Sequence, residues 1–291
     1  MRTGDPLEGS EDPLSSAPAT PLGRGPRREA TEESRLVEAF RRAAQGFSSD
    51  RVIADPVLNA AFIDQCGTLS LSGCPRDWNL TLMALRKQGK LADDRTTRRT
   101  QFSWAEMDPF AFASEMALRR LLDLGYPSLD HILCDPHAAA RFDQLARSLV
   151  PGFSSVQYRW AALRLRKDAR LWRQSSQQIA KTLRPTRRQV LLDENVVARL
   201  EQVPAVYVLS MALDDVPPVY VGETPDLSGR AQRTLSARTA LDQFLVNPGV
   251  WRLDLFELAD VNESDRRGFQ SLLIGRDKPL MNYLELANEQ V

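Results

Sequence analysis

Residues 204–230 read PAVYVLSMALDDVPPVYVGETPDLSGR, and this stretch decides the fold class of the C-terminal part. Two short apolar runs, 205–211 and 218–222, lie on either side of a turn that is rich in Asp and Pro. Runs of this length, with Val and Tyr inside and turn residues outside, are typical of buried β-strands. We therefore predict a β-hairpin here.

The chain downstream extends this hairpin into a small domain. Residues 230–245 are predicted to be helical, and the alternating WRLDLFEL of 251–258 predicts a third strand. Asn262 or Ser264 is suited to cap a last helix that runs through Ile274. The order ββαβα predicts a small α/β unit, a three-stranded antiparallel sheet flanked by helices.

Four sequence motifs follow one another in this region. They are VYV at 206–208, YVG at 220–222, ETPDLSGR at 223–230, and a closing set of LI at 273–274, KP at 278–279 and Asn282. In this order, residues 201–291 resemble a GIY-YIG nuclease domain. Any one of these motifs alone would be weak.

The resemblance implies a DNA endonuclease that hydrolyses phosphodiesters with Mg²⁺. It implies that Tyr207 and Tyr220 line the catalytic face, that Arg230 faces the scissile phosphate and that Asn282 supports the site. These residue types suit the chemistry, because an arginine and a metal ion stabilise the negative charge of the transition state. A phenol activates water if neighbouring charges lower its pKa from about 10.

The sequence departs from the family at two positions. Gln270 stands where the family has its metal-binding glutamate, and Thr234 stands where many members have a histidine. A neutral amide oxygen is a much poorer Mg²⁺ ligand than a carboxylate. The metal position, Gln270, therefore decides whether the domain cleaves.

Three explanations fit Gln270. The chain is an inactivated variant, a natural relative that kept binding and lost cleavage, or an enzyme in which Glu223 or Glu263 holds the metal. We expect the substitution Gln270→Glu to raise Mg²⁺-dependent nicking.

Upstream, two segments match at a constant offset of 80 residues. Matching positions include Asp55-Pro56 with Asp135-Pro136, Phe62 with Phe142, and Leu85-Arg86-Lys87 with Leu165-Arg166-Lys167. We predict two copies of one helical unit, in which Asp caps a helix that has Pro at its first position. A short loop and a second helix that ends in basic residues complete the outline of a helix-turn-helix.

This outline predicts that the two copies bind duplex DNA through basic side chains. The candidate residues are Arg86, Lys87, Arg98, Arg99, Arg166, Lys167 and Arg170. Arg98 and Arg99 belong to a tail that follows the first copy and is suited to lie along phosphates as a basic wing. The alternative is that these cations only complement helix dipoles and keep the surface soluble.

Charge is unevenly distributed although the formal net charge is zero. Residues 159–188 contain ten basic residues and one acidic residue, whereas residues 201–291 contain eight basic and fourteen acidic residues. A basic surface attracts the phosphate backbone of nucleic acid, although most charge runs are solvated helix faces.

These observations predict an α+β chain in four parts. Residues 1–30 form a disordered leader, 31–110 a first helical, winged-helix-like repeat, 111–200 a basic second repeat, and 201–291 the nuclease-like domain. Three scattered cysteines favour reduced thiols in the cytoplasm. No apolar stretch approaches the ~20 residues that span a bilayer, so no membrane partner is expected.

Three functions remain open at this point. The first is a DNA endonuclease, for which two cuts would require a homodimer or a second binding event. The second is a non-cleaving DNA-binding protein with a degenerate nuclease domain. The third is a scaffold whose basic helices bind acidic partners.

Overall fold

The computed structural model describes residues 31–94, 96–192, 194–212, 216–235 and 251–282. The predicted leader, 1–30, lies outside the described residues. The N-terminal part is helical. Its helices are α1 (Glu32–Ala44), α2 (Ser49–Ala54), α3 (Pro56–Thr68), α4 (Pro75–Lys87), α5 (Trp104–Asp123), α6 (Leu129–Cys134), α7 (Pro136–Leu149) and α8 (Ser155–Thr182). Within the described residues, no helix is long and apolar enough to cross a membrane.

The two Asp-Pro pairs begin helices as predicted. Asp55 caps α3 and Asp135 caps α7, each by accepting a hydrogen bond from a backbone N–H of the first turn, with proline in the first turn of the helix. A short loop then leads to α4 and to α8, so the predicted helical pair is confirmed in each copy.

The duplication extends further upstream than the matching letters indicate. Ser48 and Ser128, which are 80 positions apart, cap α2 and α6 in the same way. The left-handed residues Gln45 and Gly125, again 80 positions apart, precede them. Helix α1 packs on α3 and α5 packs on α7, so each repeat comprises four helices.

The C-terminal part is a sheet with flanking helices. Its elements are β1 (Arg188–Leu191), α9 (Glu194–Ala198), β2 (Ala205–Met211), β3 (Tyr220–Thr224), α10 (Leu227–Arg230) followed by a π-helical turn (Ala231–Leu235), β4 (Trp251–Glu257) and α11 (Glu263–Asp277). The sheet has the order β1-β4-β2-β3 and all its pairings are antiparallel. The predicted hairpin and third strand are present; residues 236–245 of the helix predicted over 230–245 lie outside the described residues.

Two predicted features need correction. The sheet has four strands rather than three among the described residues, because β1 pairs with β4 from Arg188 to Leu191. The predicted boundary at 200/201 therefore cuts this strand from its sheet. The boundary at 110/111 falls inside α5, which continues unbroken from Trp104 to Asp123.

Both faces of strands β2 and β3 are buried, whereas β1 at the sheet edge is largely exposed. Val208 and Phe256 pack in a small core on the side of α11. Tyr207, Leu209 and Leu255 face the other way and belong to one large core that also contains the side chains of the helical repeats. The face that carries Tyr207 is therefore covered by the N-terminal part of the chain.

Candidate functional site

Tyr207 and Tyr220 lie side by side on the covered face of the sheet. Their strands, β2 and β3, are adjacent, and the two ring centroids are 6.1 Å apart. Tyr207 is paired with Gly222, and a Cβ at Gly222 would lie 2.3 Å from Cζ of the Tyr207 ring. Gly222 is therefore required by the tyrosine ring that crosses it.

Arg230 joins the tyrosines from the first turn after β3. Asp226 begins α10 by accepting a hydrogen bond from the Gly229 N–H, and this places Arg230 at the end of the turn, where it is 2% exposed. Its Nη1 donates to the Tyr207 hydroxyl at 3.1 Å. Its Nη2 donates to Oδ1 of Asp108 at 2.5 Å and to the carbonyl oxygen of Asp108 at 2.9 Å.

Asn282 and Gln270 meet at the backbone of β3. Asn282 accepts a hydrogen bond from the Val221 N–H at 2.7 Å and donates to the Val221 carbonyl at 2.9 Å. The Nε2 of Gln270 donates to the same carbonyl at 3.1 Å. All five residues that the resemblance places in the catalytic site are therefore brought together in one buried cluster.

Two carboxylates that the sequence analysis did not identify complete this cluster. Asp108 and Glu115 lie on α5, seven residues and about two helical turns apart, so they project from the same face. The Tyr220 hydroxyl donates to Glu115 Oε2 at 2.8 Å, and Asn282 Nδ2 donates to Oε1 at 3.2 Å. We define the sealed site as Tyr207, Tyr220, Arg230, Gln270 and Asn282 together with Asp108 and Glu115.

The electrostatics follow from burial. Desolvation raises the pKa of Glu115 to about 7, although hydrogen bonds from Tyr220 and Asn282 oppose the shift. Desolvation also raises the pKa of Tyr207 and, together with Glu115, raises the pKa of Tyr220 well above 10. The condition for water activation, a lowered phenol pKa, is therefore not met in this closed arrangement, because burial disfavours the charged phenolate.

The polar atoms present do not fit Mg²⁺. Gln270 uses its amide nitrogen on Val221, and its Oε1 has no hydrogen-bond partner. Glu223 is held by Arg266 at 2.8 Å and Arg267 at 2.7 Å, so two cations already neutralise it. Glu263 is 45% exposed at its side chain. Among the described residues, no group of three or more His, Cys, Asp or Glu side chains is placed to hold a metal ion.

Four of the predicted DNA-binding cations form an ion-pair network between the two repeats. Arg86 pairs with Asp50 and Arg166 pairs with Asp130, each within its own repeat. Lys87 and Lys167 cross over to carboxylates of the other repeat. Each of these four predicted DNA-binding cations therefore contacts a carboxylate.

The crossed pairs are reciprocal. Lys87 binds Asp130 at 3.2 Å, and Lys167 binds Asp50 at 2.6 Å. A contact from i to j that recurs from j to i is the mark of a two-fold axis, here between two repeats of one chain. Burial alone would raise the pKa of Asp130, but Arg166 and Lys87 outweigh it and lower that pKa.

The other predicted DNA-binding residues have different outcomes. Arg98 and Arg99 are exposed, and the Arg98 guanidinium lies 4.3 Å from the centroid of the Phe47 ring. The side chains of Arg170 and Thr234 lie outside the described part of the structure.

Comparison with known protein families, with curated proteins and with solved structures finds no significant match to this chain.

Proposed function

We propose that this chain is a DNA-binding protein whose GIY-YIG-like domain does not hydrolyse DNA, because helix α5 seals the site. One observation carries this proposal. Arg230, the residue that would have to reach the scissile phosphate, is 2% exposed and bound to the Asp108 carboxylate. An arginine stabilises a phosphoryl transition state only when its donors are aimed at the phosphate oxygens.

The carboxylates of α5 stand where an anionic substrate would be expected. Asp108 meets the guanidinium that the resemblance assigns to the phosphate, and Glu115 meets the phenol of Tyr220 and the amide of Asn282. A bidentate or paired arginine-carboxylate contact uses the same donors as an arginine-phosphate contact. Phosphate and α5 therefore compete for one set of groups.

Gln270 suits the sealed site better than glutamate does. Its Nε2 donates to the Val221 carbonyl, and a carboxylate at this position would bring a second acceptor against that oxygen. A buried ionised group without a donor costs several kcal/mol. Gln270→Glu alone is therefore no longer expected to raise nicking. Cleavage requires both a carboxylate at position 270 and the withdrawal of α5 from the sheet.

DNA contact is assigned to the wing-like tail after the first repeat. Arg98 and Arg99 are exposed, whereas the four cations of the Leu-Arg-Lys triplets are bound to Asp50 and Asp130. A paired cation must first leave its carboxylate before it can neutralise a phosphate, whereas an unpaired cation does not. Neutralisation of the phosphate then releases its condensed counterions. These two arginines are therefore the better candidates for backbone contacts.

A second candidate is an active endonuclease with Mg²⁺, and the convergence of the site favours it. Tyr207, Tyr220, Arg230 and Asn282 share one cluster, as the resemblance implies for a cleaving enzyme. This candidate requires that α5 leave the sheet when DNA arrives. It also requires a metal ligand other than Gln270.

Two assays on the full chain test the proposal. In fluorescence anisotropy, duplex DNA should bind with an affinity that falls steeply with salt, and Arg98→Ala with Arg99→Ala should reduce the salt slope by about 2. Arg42→Ala, at an exposed arginine paired with Glu38 at 2.9 Å, is the matched control and should leave the slope nearly unchanged.

In a plasmid-nicking assay with Mg²⁺, the natural sequence and Gln270→Glu should both remain at background. Nicking by the natural sequence would overturn the proposal in favour of the endonuclease. Absence of any duplex binding at low salt would overturn both candidates.

A further inference from the structure

A cleft that is separate from the sealed site lies mainly in the second repeat. It has a volume of about 410 Å³ and lies among the α5–α6 loop, α6, the start of α7 and the first turn of α4. Its polar lining residues are Arg76, Tyr126, His131, Asp135 and Arg141. The cleft is far larger than a single water and within the range of ligand-binding sites.

In the first repeat, a segment of the same chain covers the equivalent surface. Residues 97–100 lie against it, with a bend at Arg98. The N–H groups of Thr97 and Arg98 both donate to the Gly46 carbonyl at 2.9 Å, and Arg98 stacks over Phe47. Arg51 donates to the Thr100 hydroxyl at 3.3 Å. This surface therefore binds a stretch of polypeptide through one carbonyl, one ring and one polar side chain.

The offset of 80 residues relates this covered surface to the open cleft. Gly46 corresponds to Tyr126, and Arg51 corresponds to His131. The segment 97–100 corresponds to 177–180, which is still helical because α8 runs on to Thr182. The second repeat therefore has no equivalent of the covering segment, and among the described residues its cleft stays open.

The charge of the two surfaces differs. By the offset of 80 residues, Arg141 corresponds to Ala61 and Arg76 to Val156, so neither arginine has a basic counterpart in the other repeat. Among the described residues, neither arginine has a carboxylate within ion-pair distance. Asp135, the one acidic lining residue, is engaged by the N–H groups of α7.

The segment that covers the first repeat is basic (Thr97-Arg98-Arg99-Thr100), whereas the open cleft is itself cationic. We propose that the open cleft binds a short acidic peptide of a partner protein, whose carboxylates meet Arg76 and Arg141. The backbone of the peptide follows the course that residues 97–100 take in the first repeat. Recognition of acidic peptides by paired arginines is a recurring binding mode.

A peptide-binding experiment on the full chain tests this proposal. The probe is a fluorescein-labelled peptide with the sequence of residues 96–101 in which glutamate replaces both arginines. The reference is the same peptide with its arginines. The acidic probe should bind and the basic reference should not, and Arg76→Ala or Arg141→Ala should each weaken binding at least about tenfold, since each removes a charged hydrogen bond.

Matched variants keep the test decisive. Arg120→Ala removes an exposed arginine that does not line the cleft and should leave affinity unchanged. Both cleft arginines are exposed, so their variants should unfold at the same temperature as the natural sequence. The double variant that carries Arg76→Glu and Arg141→Glu should bind the basic reference peptide rather than the acidic probe.

Equal binding of the acidic probe by the cleft variants would overturn the proposal, as would failure of the natural sequence to bind that probe. Displacement of bound probe by duplex DNA, with loss of duplex binding in the Arg76→Ala and Arg141→Ala forms, would reassign the cleft to nucleic acid.

Discussion

At the scale of single residues, the protonation state of Glu115 reports on the burial of the sealed site. It is buried against Tyr220 and Asn282, and desolvation raises its pKa to about 7. A carboxyl group of this kind binds its proton more tightly in the folded than in the unfolded chain. Between its ordinary pKa of 4.5 and about 7, it therefore makes the folded protein less stable as the pH rises.

We predict that Glu115→Gln removes this pH dependence. Relative to the variant, the natural sequence should lose about 3 kcal/mol of unfolding free energy between about pH 4 and about pH 8. Urea denaturation of both proteins across this range measures the difference, and other titrating groups cancel because they are shared. Parallel stability profiles would mean that Glu115 is not buried at the sheet.

Gly222 provides a steric test of the same site. A Cβ at this position would lie 2.3 Å from Cζ of Tyr207, so Gly222→Ala should lower the unfolding free energy by about 1–3 kcal/mol. The matched control is Gly67→Ala in α3, where nothing lies within 4 Å of the added Cβ. That substitution should stabilise the helix by about 0.5–1 kcal/mol. Equal effects of the two, measured by urea denaturation, would contradict the close packing of Tyr207 on Gly222.

The residues of the resemblance were predictable from sequence, but their neighbours were not. Tyr207, Tyr220 and Arg230 come together as the order of motifs implies. Asp108 and Glu115 carry a signal of their own: they are acidic residues seven positions apart in the largely apolar stretch 107–118 of a helix. Such a pair on an apolar face predicts a buried polar contact. The partner of Asp108 is Arg230, which lies 122 residues further along the chain and cannot be predicted from the local sequence pattern.

At the scale of elements, the two repeats are joined by their crossed ion pairs. Asp50, with 8% of its side chain exposed, receives Arg86 from its own repeat and Lys167 from the other. We predict that Asp50→Asn lowers the unfolding free energy by about 1–3 kcal/mol, because two cations lose their carboxylate. Both cations are partly exposed, which limits the loss.

Asp64→Asn is the control for this prediction, since Asp64 is an exposed residue on α3. Its effect should stay within about 0.5 kcal/mol. Denaturation curves in which Asp50→Asn and Asp64→Asn coincide would show that the crossed pairs do not stabilise the chain.

The elements themselves followed closely from the sequence where local signals are strong. The Asp-Pro caps at 55–56 and 135–136 and the 80-residue offset predicted the start of α3 and α7. Strand β1 was missed because RQVL is only four residues long and adjoins a basic run, and its strand character comes from pairing with β4. Likewise, no local sequence signal predicts that Lys87 and Lys167 pair with carboxylates of the other repeat, because these pairs depend on how the two repeats pack against each other.

At the scale of the whole molecule, the helical repeats and the sheet share one core. The sequence predicted separate parts with boundaries at 110/111 and 200/201, yet α5 spans the first boundary and covers the face of the sheet that carries Tyr207. In the proposed function, helix α5 both supports the sealed site and competes with phosphate for its donor groups. The proposed lack of cleavage is thus a property of the assembled chain, in which Gln270 is only one contributor.

The contact between Asp108 and Arg230 joins these two halves and is the most direct measure of the sealed site. Both side chains are 3% exposed, and breaking a buried pair by removing one partner costs about 3–5 kcal/mol. Replacement of both partners by apolar side chains of similar size costs much less. A double-mutant cycle therefore separates the contact from other effects of the substitutions.

The decisive measurement is urea denaturation of Asp108→Leu, Arg230→Met and the chain that carries both. A sealed site predicts that the double variant loses at least about 2 kcal/mol less unfolding free energy than the two single losses added together. Losses that simply add would mean that Asp108 does not bind Arg230, that helix α5 does not close the sheet, and that the arginine remains available to DNA.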